Sequence, residues 1–144
     1  VTSFRLAKLA ILCLGIPTMS PAQSAEDPSA GLLMELNNLQ QVDGNCRLSF
    51  LLQNQTGAEI EAANFETVIF NAEGNVVSLT LYNFRDIPAG RLRVRQFTIA
   101  DMSCGNVGRI LINGSNTCTV EGAESDLCDA ALTLNNRTDV EFLR

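Results

Sequence analysis

Histidine and tryptophan are absent from these 144 residues, tyrosine occurs once (Tyr82), and the single lysine is Lys8. Each absence excludes a chemistry. Without histidine there can be no Ser-His-Asp or Cys-His nucleophile arrangement and no imidazole to complete a mixed zinc site. No Cys-x-x-Cys occurs, which removes the common dithiol redox motif. Long uninterrupted helical periodicity is missing as well, so helical bundles and dinucleotide-binding α/β folds do not fit. Cationic residues are scarce, with ten Lys+Arg against sixteen Asp+Glu. An acidic chain repels phosphate backbones and gains no counterion-release energy from them. Neither nucleic acid nor an anionic lipid surface is an expected partner.

What remains is a chain with 46% hydrophobic and 18% charged residues, a globular composition with room for one core. Its first 25 residues have the three parts of a cleavable export signal. Arg5 and Lys8 form the basic region, Leu9 to Ile16 the apolar run, and Ser20-Pro21-Ala22-Gln23-Ser24-Ala25 the small-residue stretch. Cleavage is expected near Ala22 or Ala25, with Ala22 preferred because Ser20 and Ala22 are both small. An apolar run of about ten residues is half of the roughly 20 needed to span a bilayer. No stable membrane insertion is therefore expected after cleavage. Bulky Leu12 before Cys13 argues against lipid attachment there, and the general secretory route into a bacterial periplasm, or secretion, is the expected path.

Cys46, Cys104, Cys118 and Cys128 follow the signal. An even number in an exported acidic domain points to two disulfides rather than to metal ligation. Three pairings exist. Cys46–Cys104 with Cys118–Cys128 is favoured, because the second bridge would close a short segment poor in apolar residues. The first would tie the starts of two strands that lie at the same end of a sandwich.

Residues 26–31 read as a flexible lead-in and 32–144 as a single domain, an immunoglobulin-like antiparallel β-sandwich of about seven strands with a disulfide-closed C-terminal excursion. Short apolar runs alternate with turn signals throughout. Strands are expected at Leu32 to Leu39, Cys46 to Gln53, Phe65 to Phe70, Val76 to Tyr82, Leu92 to Ile99, Val107 to Ile112 and Thr138 to Leu143. Asp43-Gly44 marks a hairpin. Glu59 to Asn64 reads as a helical turn or loop, residues 113–130 as the excursion, and Asp126 to Leu132 as a short helix. In the Leu92 strand, both Leu92/Val94 and Phe97/Ile99 are expected to point inward, which requires a bulge near Arg95-Gln96.

Asn54-Gln55-Thr56-Gly57 after a hydrophobic strand, Ile69-Phe70-Asn71, Glu73-Gly74-Asn75-Val76-Val77, Ile87-Pro88-Ala89-Gly90 and a downstream Phe97 form a recognisable series. Over about residues 48–97 the chain resembles the small extracytoplasmic immunoglobulin-like modules called FxLYD-type domains. Thr67 stands where that pattern has its leading Phe, and Asn71 where it has Asp. The resemblance implies an immunoglobulin-like fold and an envelope location, and it implies no activity.

Five sets of residues are candidates for function. Arg91, Arg93 and Arg95 alternate along a strand and would share one face. They read either as an exposed strand blunted against edge pairing or as a stripe that docks an acidic partner or glycan. Glu121, Glu124, Asp126 and Asp129 are oxygen donors suited to Ca²⁺ but lack the spacing of a calcium loop. Glu59/Glu61, Glu124/Asp126 and Asp126/Asp129 are the nearest carboxylate pairs for hydrolysis. Leu51, Val68, Phe70 and Phe84 would mark a protein–protein surface if exposed. Asn54, Asn113 and Asn136 each begin a glycosylation triplet. No cofactor is expected. The expected role is a non-catalytic periplasmic or secreted binding or assembly module contacting another envelope protein. The alternatives are a structural accessory subunit of an envelope transport or energy-transducing complex and a paired-carboxylate hydrolase.

Overall fold

The computed structural model describes residues 30–144, so the expected export signal and most of the expected lead-in lie outside the described residues. Period-two alternation builds the first hairpin from β1 (Leu32–Val42) and β2 (Asn45–Asn54). Asp43 and Gly44, with φ of 45° and 80°, supply the two left-handed residues of its tight turn. The extra residue Asn37 bulges from β1 and shifts its register against β2. A second hairpin joins β3 (Ile60–Asn71) to β4 (Val76–Ile87). Then follow β5 (Leu92–Ile99), a 3-10 turn at Cys104–Asn106 and the long β6 (Val107–Val120). The chain ends with β7 (Ala123–Glu124), α1 (Leu127–Ala130), β8 (Leu132–Asn136) and β9 (Glu141–Leu143).

These strands form two sheets, ordered β5-β2-β1-β8 and β4-β3-β6-β7, with β9 also on β6. The chain crosses between sheets after β2, β4, β5, β7 and β8. Leu32, Met34, Leu36, Leu48, Phe50 and Leu52 of one sheet are buried against Phe65, Ile69, Phe84 and Ile110 of the other. Phe84 sits at the centre, with its ring centroid 4.9–5.5 Å from those of Phe50, Phe65 and Phe97. Cys46–Cys104 ties β2 to the 3-10 turn, and Cys118–Cys128 ties β6 to α1.

The fold is the expected all-β sandwich, with several differences of detail. Nine strands are formed among the described residues, and two pairings are parallel: β1 with β8, and β6 with β9. Glu59 to Asn64 is no helical turn, because β3 begins at Ile60 and its Ala62, Ala63 and Asn64 pair with Thr119, Cys118 and Thr117. The same pairing extends β6 to Val120, so the excursion shrinks to the β7 hairpin and α1. Gly108 permits the closest part of that ladder, since a Cβ there would run into the Asn71 carbonyl. The bulge expected in β5 does not form. Its register with β2 is unbroken from Cys46–Ile99 to Gln53–Leu92. Phe50 and Leu52 face the core, so Arg95 and Arg93 opposite them face inward and Leu92 and Val94 face solvent.

Candidate interaction surface on the β4 and β5 edges

β4 and β5 are the edge strands of the two sheets on one side of the sandwich. Tyr82 and Phe97 stack across that side with centroids 4.2 Å apart, and burial raises the Tyr82 phenol above its usual range. Just outside this aromatic pair lie the arginines. Arg95 donates from Nε to the Phe84 carbonyl at 2.7 Å and from Nη2 to the Asp86 carbonyl at 2.9 Å. Its Nη1 donates to the Val94 carbonyl at 3.2 Å, and Nη2 reaches the Asp86 carboxylate at 3.2 Å. Arg93 donates to the Leu92 carbonyl at 3.3 Å and pairs with Asp86 at 3.4 Å. Burial, with Arg85 and Arg93 nearby, lowers the Arg95 guanidinium pKa against the opposing pull of Asp86, and an arginine remains charged regardless.

The two guanidiniums thus occupy edge carbonyls of both strands. Edge carbonyls left open would template pairing with another chain. A long arginine can reach them because its aliphatic stem lies along apolar surface while the fork stays at the rim. Arg91, by contrast, precedes β5 and is exposed. Among the described residues its side chain makes no ion pair or hydrogen bond. The three arginines therefore do not form one outward stripe: Arg93 and Arg95 stitch the edges, and Arg91 alone faces solvent.

The apolar side chains of these edges behave in the opposite way. Among the described residues, Val76, Val77, Leu79 and Leu81 of β4, and Leu92 and Val94 of β5, are the large hydrophobic residues left exposed, with Leu79 and Val94 each at 59%. Leu79 lies beside Val68 of β3, and Val68 beside Leu111 of β6. Val94 lies beside Leu51 of β2. Of the four residues expected at an exposed face, Leu51 and Phe70 are half-buried, Val68 is covered by its neighbours, and Phe84 is wholly buried in the core. The Phe84 expectation fails because Phe84 alternates in phase with buried Tyr82, opposite to Leu79 and Leu81, and a bulge at Arg85, with φ of 60°, then brings Ile87 inward as well. Leu79, Leu81, Leu92 and Val94 were missed as surface residues. Apolar identity alone assigns such residues to the core.

The acidic candidates are dispersed. Glu124 accepts from the Cys118 amide at 3.3 Å, Asp129 accepts from Ser115, and Glu61 accepts from the Gly122 amide at 3.2 Å. Among the described residues no three His, Cys, Asp or Glu gather closely enough to hold a metal. Asn54 and Asn136 are turn-builders in the same way. Asn54 donates to the Ala58 and Ile87 carbonyls and accepts from the Thr56 amide and hydroxyl. Asn136 donates to the Val140 carbonyl and accepts from the Thr138 amide and hydroxyl. Both turns carry the chain from the first sheet to the second. Asn113 donates to Glu66 across the β3–β6 pair.

Glu35 is the buried charge that sequence reasoning overlooked, since it alternates out of the core. Only 3% exposed on the outer face of β1, it accepts from Asn37 at 2.8 Å, Asn135 at 2.6 Å and Arg137 at 2.9 Å. The Asn37 bond leads, with Arg137 and Asn135 adding to it, in holding its carboxyl below the usual range against the upward pull of burial. Nearby, an open cleft of about 490 Å³ runs past Asn38, Gly105, Arg137 and Asp139. Its arginine is already engaged by Glu35.

Among the described residues no helix is long and apolar enough to cross a membrane. No family model and no curated protein matches the chain. Among solved structures, IrmA from Escherichia coli is similar at 11% sequence identity with a TM-score of 0.59, covering 72% of this chain and 90% of that one. At this identity the likeness shows the two-sheet fold alone.

Proposed function

We propose that this protein is a non-catalytic, exported binding or assembly module that contacts another envelope protein through the β4/β5 side of its sandwich. The single observation that carries this reading is the placement of the exposed large hydrophobics. All six of those among the described residues lie on the two neighbouring edge strands, and large apolar residues left exposed together mark a contact site. The disulfides and the signal-like N-terminus support an oxidising, extracytoplasmic location. Relative to the sequence-level expectation, the contact moves from the arginine stripe to the apolar residues beside it. Arg91, Asp86 and Arg85 supply its charged rim, and a partner of matching chemistry offers an apolar centre with mixed charge around it.

The test is the size of the protein's assembly in gently solubilised envelope extract. The wild-type chain should migrate with a partner well above its own dimer. Leu92→Asp combined with Val94→Asp should migrate free, with an unchanged circular dichroism spectrum. A wild-type chain that travels without a larger partner, or a double variant that stays in the assembly, would overturn the reading.

A further inference from the structure

We propose that two copies of this chain join edge to edge through β4, antiparallel about a twofold axis at Leu79. Of the sandwich edges, β5 has its Leu92 and Val94 carbonyls occupied by arginines, and the far end of β4 is closed by Arg95 on Phe84 and Asp86. β8 and β9 are short, with five and three residues. The first two-thirds of β4 carries none of these protections. Val76 to Phe84 contains no charged residue and no proline. Among the described residues, no side chain from elsewhere bonds its backbone between Val76 and Asn83. Natural edge strands are blunted by charge, proline, bulges or cover, so an unguarded one reads as a pairing site.

The occupant is set by self-complementarity. With Leu79 opposite Leu79, Val77 meets Leu81 and Ser78 meets Thr80. Apolar residues then face apolar residues on the outer surface, and hydroxyls face hydroxyls on the other. Only registers that place β4 residues of equal parity opposite one another keep both outer faces on the same side, and this one centres the apolar run Val77, Leu79 and Leu81 on itself, in a strand whose pairing with β3 is regular from Leu79 to Asn83. A foreign strand would need no such symmetry. The inference stands apart from the contact proposed above, because it requires purified protein alone.

Sedimentation of the purified, oxidised protein over a dilution series tests it. The expected mass is twice that of one chain, falling to one chain on dilution. Leu79→Lys places two ammonium groups together at the axis and should weaken association at least about tenfold. Should a charged variant fail to fold, Leu79→Cys decides: mild oxidation should link it into a covalent dimer, whereas Thr133→Cys at the opposite edge should stay single. A one-chain mass at every concentration, or a dimer indifferent to Leu79→Lys, would overturn the proposal.

Discussion

The Arg95 guanidinium sits 2.7 Å from the Phe84 carbonyl, bonding a side chain of one sheet to the backbone edge of the other. This contact, repeated on Asp86, holds the β4/β5 side shut around the Tyr82–Phe97 stack. Arg95→Ala should cost about 1–2 kcal/mol, the worth of two charge-assisted hydrogen bonds with their carbonyls partly re-solvated. Arg91→Ala should change stability by less than about 0.5 kcal/mol, as at a surface position without contacts. Urea titration of the two variants checks the contrast, and equal effects would contradict it.

Asn54 and Asn136 make the same turn in different surroundings, one fully buried and one exposed. Asn54→Ala removes the donor to the buried Ile87 carbonyl and to the half-buried Ala58 carbonyl, and the acceptor of the Thr56 amide, and should cost about 3 kcal/mol. In Asn136→Ala the orphaned groups reach water, and the loss should be about 1 kcal/mol. Thermal unfolding of the pair measures the difference.

The two bridges close loops of unequal length, with sequence separations of 58 and 10. In the chain-entropy model their removal should cost about 4 and about 3 kcal/mol. Replacing Cys46 and Cys104 by Ala should therefore lower the unfolding midpoint more than replacing Cys118 and Cys128. Denaturant midpoints of the two double variants give the ordering.

Glu35 links stability to pH. Its folded carboxyl ionises below the usual range, with the Asn37 hydrogen bond as the first cause, whereas the unfolded residue titrates at about 4.3. Its contribution is therefore complete above that value and is lost as pH falls through the lower, folded one. Glu35→Gln should lower stability at neutral pH and flatten this acid limb. Stability measured from pH 7 down to about 2 reads both effects, and an unchanged acid limb would contradict the assignment.

The first hairpin was legible because its signals are local. Asp43-Gly44 is a turn that few other residues make, and β2 alternates without interruption. The phase of β5 was not, because Leu92 and Val94 are apolar and Arg93 and Arg95 charged, so polarity alone turns the strand over. The register with Phe50 and Leu52 decides otherwise, and the arginines tolerate it because they lie at an edge where their forks reach carbonyls. The same non-local pairing hid the start of β3, whose Ala62-Ala63-Asn64 has little strand character until β6 lies beside it. β8 escaped notice because it is ordered by a parallel pairing with β1, one hundred residues earlier in the chain at Glu35 and Asn135. Glu35 looked like a solvent-facing residue, which it is by alternation, until the bulge at Asn37 and the arrival of Asn135 and Arg137 cover it.

The account centres on a sandwich whose contacts concentrate on the β4/β5 side. Because Lys8 is the single lysine, amine-directed reagents find no lysine side chain to report on the domain. The most direct measurement is photocrosslinking in intact cells, with the reactive group placed in turn at Leu81, Leu92, Val94, Thr133 and Asn135. The account predicts defined adducts from Leu81, Leu92 and Val94 and none from the β8 positions Thr133 and Asn135. Adducts centred on β8, or equal yields from both sides, would contradict it.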